Sequence, residues 1–354
     1  MPEVLTFGEA MVSLRSKAAL RMGGDVHLSV AGSESNVAIG LARLGHDVAW
    51  LGAVGNDEPG RLIQRTLRAE NVDTSYLRFS DDSFTGFIAF DQPAHDITRV
   101  SYHRRGSAGS TLTATECLAA LAGRPSTAAA TGTPTAVDLT GSVPTTTPTG
   151  TPSAVALAGS ALSASPGTPR ILHVTGITPA LSDTARAATL AAVQAASAAG
   201  IKVSLDVNYR GRLWSRTDAA AVLRTLLPHV TTVFASDDEL DILTDADDPV
   251  ADLLSTTITE VVITAGVKGA WTHTTDGTLH RPALPVTVVD SIGAGDAFVS
   301  GYLSATLDNL PPEDRLARAT TSGAFCVGAH GDWESLPTRE DLTLLTHTHG
   351  TALR

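Results

Sequence analysis

Short β-branched runs alternate with longer segments of helical spacing along almost the whole chain, and few folds accept that order. The strand candidates are Val4 to Phe7, Asp47 to Val54, the run ILHVT from Ile171, Val203 to Val207, Val230 to Ala235 and Thr259 to Thr264. Between the first two lies AGSESNVAIGLARLG, where Ala38, Leu41 and Leu44 share a face and Gly45 is a stop. Arg61 to Glu70, the Ala-rich TARAATLAAVQAASAAG ending at Gly200, and a helix continuing through Leu223 to Leu227 follow in turn. The last helices are expected from about Glu313 to Ala329 and from Arg339. Each crossover is long enough for a right-handed βαβ unit, which predicts an α/β fold in three layers, a mostly parallel central sheet with helices on both faces.

Two stretches break the alternation. Met11 to Val30 contains glycine-broken alternating pieces, and Phe84 to Tyr102 alternates around a Pro-containing turn at Gln92 to Asp96. Both read as strands of a separate small sheet, from about 11–30 and 84–103. From about Gly123 to Pro169 the chain is Thr, Pro, Ala, Gly and Ser with hardly any charge and no aromatic residue. Such composition cannot offset its ordering entropy by burial, so residues 123–169 read as a largely disordered insertion or long surface loop, bland linker in character. A stretch from Thr278 to Val289 is expected to supply further short strands.

The chemistry concentrates at Val288 to Phe298, VVDSIGAGDAF. A β-branched run ends at Asp290, glycines follow at Gly293 and Gly295 around Ala294, and helical spacing starts at Asp296. Glycines let a ligand approach the backbone, and the open N–H groups of a helix's first turn attract an anion, phosphate above all. An aspartate beside such an anion hole suits a base that takes a proton from an attacking hydroxyl. On its own, however, Gly-Ala-Gly-Asp is also a tight turn with a helix-capping acid.

A formal net charge of -12 and a pI near 5.3 exclude electrostatic capture of nucleic acid or an anionic membrane. The two cysteines, Cys117 and Cys326, make neither a disulfide framework nor a metal site and read as small apolar fillers. No apolar run reaches membrane-spanning length and no leader pattern opens the chain, so a cytoplasmic location is expected. GxxxxGK[ST] is missing, which excludes a P-loop enzyme, and no G-x-G-x-x-G follows the first strand, which argues against a dinucleotide-binding dehydrogenase.

DSIGAGDAF resembles the second signature of the ribokinase-like (PfkB) carbohydrate kinases, with Ile292 where the family usually has Thr. AGSESNVAIGLARLG followed by GAVGNDEPG resembles the first signature. With YHRRGSAGS, GITPALS, LDVNYRGRLW and GDWESLPTRE, the resemblance spans nearly the whole chain outside the insertion and is closest to the 2-keto-3-deoxygluconate kinases. It implies a single ribokinase-like domain over 1–354 whose small sheet is a lid, and transfer of phosphate from ATP to O6 of that sugar acid.

By the same resemblance, Asp296 is the catalytic base, with Gly293, Ala294 and Gly295 as the anion hole. Gly32, Ser33, Asn36, Tyr102, Arg104, Asn208 and Arg210 bind substrate. Ser236, Gly266, Lys268, Gly269, Gly293 and Gly295 bind ATP, and Glu239 serves Mg²⁺ through water. A monovalent cation such as K⁺ belongs to the same expectation. A substrate with a carboxylate at one end and a primary alcohol at the other needs cations at one end of a cleft and a base at the other, which Arg104, Arg210 and Asp296 would supply. Several residues keep a second role open: Asn36 and Glu239 as helix caps, Arg104 as part of a solvated basic patch, Arg210 as a loop-holding salt bridge. Thr264 stands where the family often has Lys, and Phe87 or a neighbour replaces a sugar-contacting tyrosine. Those departures leave ribose, fructose or 5-dehydro-2-deoxygluconate as alternative substrates, and a catalytically silent sugar-binding protein as an alternative of another class. An exposed lid favours pairing of two copies, so a homo-oligomer is expected.

Overall fold

The computed structural model describes residues 2–94, 97–124 and 168–346. The expected alternation folds into a nine-stranded sheet. Its strands are β1 (Val4–Phe7), β4 (Val48–Gly55), β5 (Leu77–Ser80), β8 (Ile171–Thr175), β9 (Lys202–Asp206), β10 (Thr232–Ser236), β11 (Glu260–Thr264), β12 (Ala270–Thr274) and β13 (Gly277–Arg281). They lie in the order β13-β12-β11-β10-β9-β8-β1-β4-β5. The strands from β11 to β5 pair in parallel, and only β12 and β13 run antiparallel at one edge.

Residues alternate between faces along each central strand, and each face has its own core. Leu5, Phe7, Leu172, Val174 and Leu205 pack beneath α3 (Ala114–Leu121), α4 (Asp183–Ala198) and α5 (Arg216–Leu226), in a core that Ile242 of α6 (Leu240–Leu243) and Leu253 of α7 (Pro249–Leu254) join. Val4, Trp50, Phe234 and Val262 pack beneath α1 (Ser33–Arg43), α2 (Glu58–Ala69), α8 (Ala294–Leu307) and α9 (Pro312–Val327). Parallel strands need this double cover because both faces are apolar. Local signals fix the helix starts: Asp57, Ser182 and Ser215 each accept a hydrogen bond from a first-turn N–H, at 2.8, 3.0 and 3.1 Å.

The small sheet also forms, from β2 (Met11–Arg15), β3 (His27–Ala31), β6 (Phe87–Ala94) and β7 (Ile97–His103), in the order β3-β2-β6-β7. Met11, Ala31, Ile88 and Phe90 form its inner apolar face, and Ile292 of the glycine turn packs against them. The residue that departs from the family signature thus touches the lid.

Three expectations need correction, and one element lay outside them. The hairpin forms, but Gln92, Pro93 and Ala94 belong to β6 and not to the expected turn at Gln92 to Asp96, with a register irregularity between Asp91 and Ala94. Beyond Arg281, the stretch to Val289 forms no strand; Val289 and Asp290 donate instead to the Val327 carbonyl at the end of α9. The segment after Arg339 forms a 3₁₀ turn, Asp341–Thr346, within the described residues. Helix α3 was not expected, although Thr113 and Glu116 carry the S/T-x-x-E capping box that marks its start. Most of the insertion, 125–167, lies outside the described residues. Among the described residues no helix is long and apolar enough to cross a membrane.

Candidate active site

Parallel strands deliver their loops to one edge of a sheet, and here a cleft of about 450 Å³ opens at that edge beneath the lid. Helix α8 starts at its floor. Gly293, the residue before the helix, has φ +79°, and a Cβ there would lie 2.1 Å from the Asp332 carbonyl oxygen, so only glycine fits this turn. A Cβ on Gly295 would meet nothing within 4 Å; its backbone faces open space. The helix's first N–H groups have no intrahelical acceptor, and such groups are available to an anion.

Asp296 sits in the first turn of α8 and is buried, at 7% exposure. Ser33 Oγ donates to its Oδ1 at 2.6 Å and Asn36 Nδ2 to its Oδ2 at 2.7 Å. Burial raises its pKa; these donors and the charge of Arg210 act in the opposite direction. Asn208, at the end of β9 with φ +40°, donates through Nδ2 to Ser33 Oγ at 2.9 Å and to Asp206 Oδ2 at 3.0 Å. Burial drives the Asp206 carboxyl well above its ordinary range, and the nearby Glu239 and Asp296 add to that rise. The amide oxygens of Asn36 and Asn208 are buried without a hydrogen-bond partner. Two orphan acceptors in a cleft fit a ligand rich in hydroxyl donors.

The cleft gathers most of the expected residues: Gly32, Ser33, Asn36, Tyr102, Arg104, Asn208, Arg210, Ser236, Glu239, Gly293, Gly295 and Asp296 all line it. Asn36 lies within α1 instead of capping it; Gly32 holds the cap position. Arg104 is no solvated patch. It is 9% exposed and donates through Nε to Glu9 Oε2 at 2.6 Å. Arg210 is exposed at the mouth and donates to the Tyr209 carbonyl at 3.2 Å.

Glu239 accepts from the Tyr209 N–H at 2.7 Å through Oε1 and from the Ser236 N–H at 2.9 Å through Oε2. With both oxygens so engaged it can serve a metal through water. Among the described residues no group of three or more His, Cys, Asp or Glu could cage a metal ion. Ala294, Gly266, Lys268 and Gly269 are not among the cleft's lining residues. Gly269 packs tightly, its would-be Cβ 2.1 Å from the Arg281 carbonyl, and Lys268 Nζ lies 3.7 Å from an Asp237 carboxylate on an exposed turn. A phosphate contact from Lys268 in place of one from position 264 therefore needs that side chain to swing.

Three residues at the site escaped the sequence: Glu9, partner of Arg104; Asp332, which lines the cleft; and Arg15 from β2, which joins Asp332 to Asp290. Arg15 is 275 and 317 positions from these acids, and no local pattern announces such a pairing. Asp290 and Asp332, the carboxylates beside the glycine turn, are thus joined by one guanidinium.

Residues 1–122 and 131–339 match the model of the pfkB family carbohydrate kinases. The chain is similar to a 2-dehydro-3-deoxygluconokinase of Bacillus subtilis, 32% identical over 96% of this chain and 94% of that one. A 2-dehydro-3-deoxygalactonokinase of Haloferax volcanii is 29% identical over 93% and 92%, and a fructokinase of Klebsiella pneumoniae 29% over 88% and 90%. Among solved structures, a PfkB protein from Polaromonas sp. JS666 is 28% identical, with a TM-score of 0.76 over 97% of this chain and 99% of that one. The family match spans most of the chain and the Bacillus relative nearly all of it, and the chain belongs to the pfkB family of carbohydrate kinases.

Proposed function

We propose that this kinase transfers the γ-phosphoryl group of ATP to the 6-hydroxyl of 2-keto-3-deoxygluconate, the compound also called 2-dehydro-3-deoxygluconate. The observation that carries the reading is that one cleft holds a buried carboxylate beside an anion-binding turn and two guanidinium groups. Asp296 accepts the proton of the attacking hydroxyl; its raised pKa brings it nearer to that task than an ordinary aspartate. Ser33 and Asn36 hold the carboxylate in place, so that no reorientation is needed during the reaction. The N–H groups at Gly293 and Gly295 stabilise charge on the transferring phosphoryl group, and Mg²⁺ on the nucleotide would neutralise the remainder, reached by Glu239 through water.

At the other end, Arg210 and Tyr102 receive the carboxylate, with Arg104 contributing where its guanidinium is not joined to Glu9. The orphan amide oxygens of Asn36 and Asn208 take substrate hydroxyls. The lid, closing over Ile292, excludes water, a competing acceptor of phosphate. A second reading, a neutral sugar such as fructose, draws on the Glu9–Arg104 pair, because it leaves Arg210 as the cleft's less engaged cation. Steady-state kinetics with both substrates decides: a KM for the keto-deoxy acid well below that for fructose supports the first reading, and the reverse order supports the second.

A further inference from the structure

Asp290 and Asp332 lie on either side of the glycine turn, where they would repel an incoming phosphate unless neutralised. Arg15 reaches down from β2 of the lid. Its Nη1 donates to Asp290 Oδ2 at 2.8 Å, its Nη2 donates to Asp332 Oδ1, and its guanidinium lies 4.1 Å from the centre of the Phe90 ring. All three charged side chains are largely buried, with exposures of 16%, 13% and 8%. The contacts continue outward: Trp333 Nε1 donates to the Val30 carbonyl at 2.9 Å, and Ser29 Oγ donates to Glu334 Oε1. The Asp332 peptide is itself pressed on the turn, since its carbonyl is the atom that forbids a side chain at Gly293.

A buried cluster of this kind is a poor device for stability alone, because desolvating three charges offsets most of their attraction. Its position suggests another use. We infer that Arg15 is a positioning residue that acts as the turn's built-in cation, neutralising Asp290 and Asp332 from the lid, so that turnover needs no monovalent ion. It is not among the residues lining the cleft; it fixes the two acids that frame the turn and ties the turn's charge balance to the small sheet. The inference rests on the kinase activity of the family and on the turn as phosphate site, and not on which sugar is used.

The test compares wild type with Arg15→Ala in K⁺ and in tetramethylammonium at equal ionic strength, by melting temperature and by ATP turnover with 2-keto-3-deoxygluconate. Wild type is expected to behave alike in both salts. Arg15→Ala should lose about 10–100-fold in kcat in tetramethylammonium, with KM for the sugar little changed, the range typical of removing an outer partner of a catalytic group. K⁺ should recover much of that loss and raise the melting temperature of this variant alone. Arg15→Lys, which keeps a charge, should turn over faster than Arg15→Met, which keeps only the stem over Phe90. Stimulation of wild type by K⁺, or equal kcat for the Lys and Met variants, would overturn the inference. The melting comparison needs no sugar, so a failure there reads on Arg15, whereas absence of turnover with this sugar in wild type reads on the proposed substrate.

Discussion

Asp296 is where burial, hydrogen bonding and chemistry meet most closely. Removing its charge by Asp296→Asn should lower kcat by about 10²–10⁴-fold, the usual contribution of a general base, while ATP still binds; isothermal titration and turnover measured side by side check both halves. The same substitution should stabilise the empty protein. Burial raises the pKa of Asp296, so the folded state holds this proton more tightly than the unfolded chain. Stability from that proton is present below the unfolded value of about 3.9 and is lost as pH rises through the folded value. At neutral pH, Asp296→Asn should therefore melt above wild type, and the gap should close as the solution is acidified. A variant that melts below wild type throughout would mean that the bonds from Ser33 and Asn36 outweigh desolvation. Arg210→Ala should raise KM for a sugar acid about tenfold, as expected for loss of a charged hydrogen bond at an open site, with little change for ATP; equal changes in both would mark Arg210 as a loop-holding residue.

The two glycines of the α8 turn separate fold from function within one element. Gly293→Ala forces a positive φ on a side chain that meets the Asp332 carbonyl, so both melting temperature and turnover should fall, the strain alone costing about 1–3 kcal/mol. Gly295→Ala meets nothing in the protein and removes a glycine from a helix, so the fold should hold or gain slightly while kcat falls because the methyl group occupies the phosphate's approach. In α3, Thr113→Ala should cost about 1 kcal/mol by breaking the capping box, measured by chemical denaturation, with kinetics unchanged. These elements also show what the sequence makes legible. The central strands could be read because both of their faces are buried, which leaves uninterrupted β-branched runs. The run at Val286 to Val289 has the same residues but no strand beside it, and β-branched composition alone cannot tell paired from unpaired extended chain. The glycine turn could be read because its backbone conformation admits one residue type; the Arg15 cluster could not, because charges joined across the lid leave no spacing rule.

At the scale of the whole molecule, the large sheet positions the glycine turn, Asp296 and the ends of β9 and β10, and the small sheet supplies Met11, Ile88 and Phe90 to the same cleft. The small sheet exposes Leu28 and Ile97, and the turn between β2 and β3 exposes Met22, apolar surface that suits the expected pairing of two copies. Size-exclusion chromatography with light scattering should give at least a dimer, and substitution of Leu28 by Lys should shift it toward monomer. What the whole arrangement is for reduces to the acceptor at the bottom of the cleft. The most direct measurement is a coupled ATP-consumption assay with 2-keto-3-deoxygluconate beside fructose, ribose and 5-dehydro-2-deoxygluconate. A clear preference in kcat/KM for the keto-deoxy acid is the predicted result; preference for a neutral sugar would contradict it, leaving Asp296 as the base but removing Arg104 and Arg210 from substrate recognition.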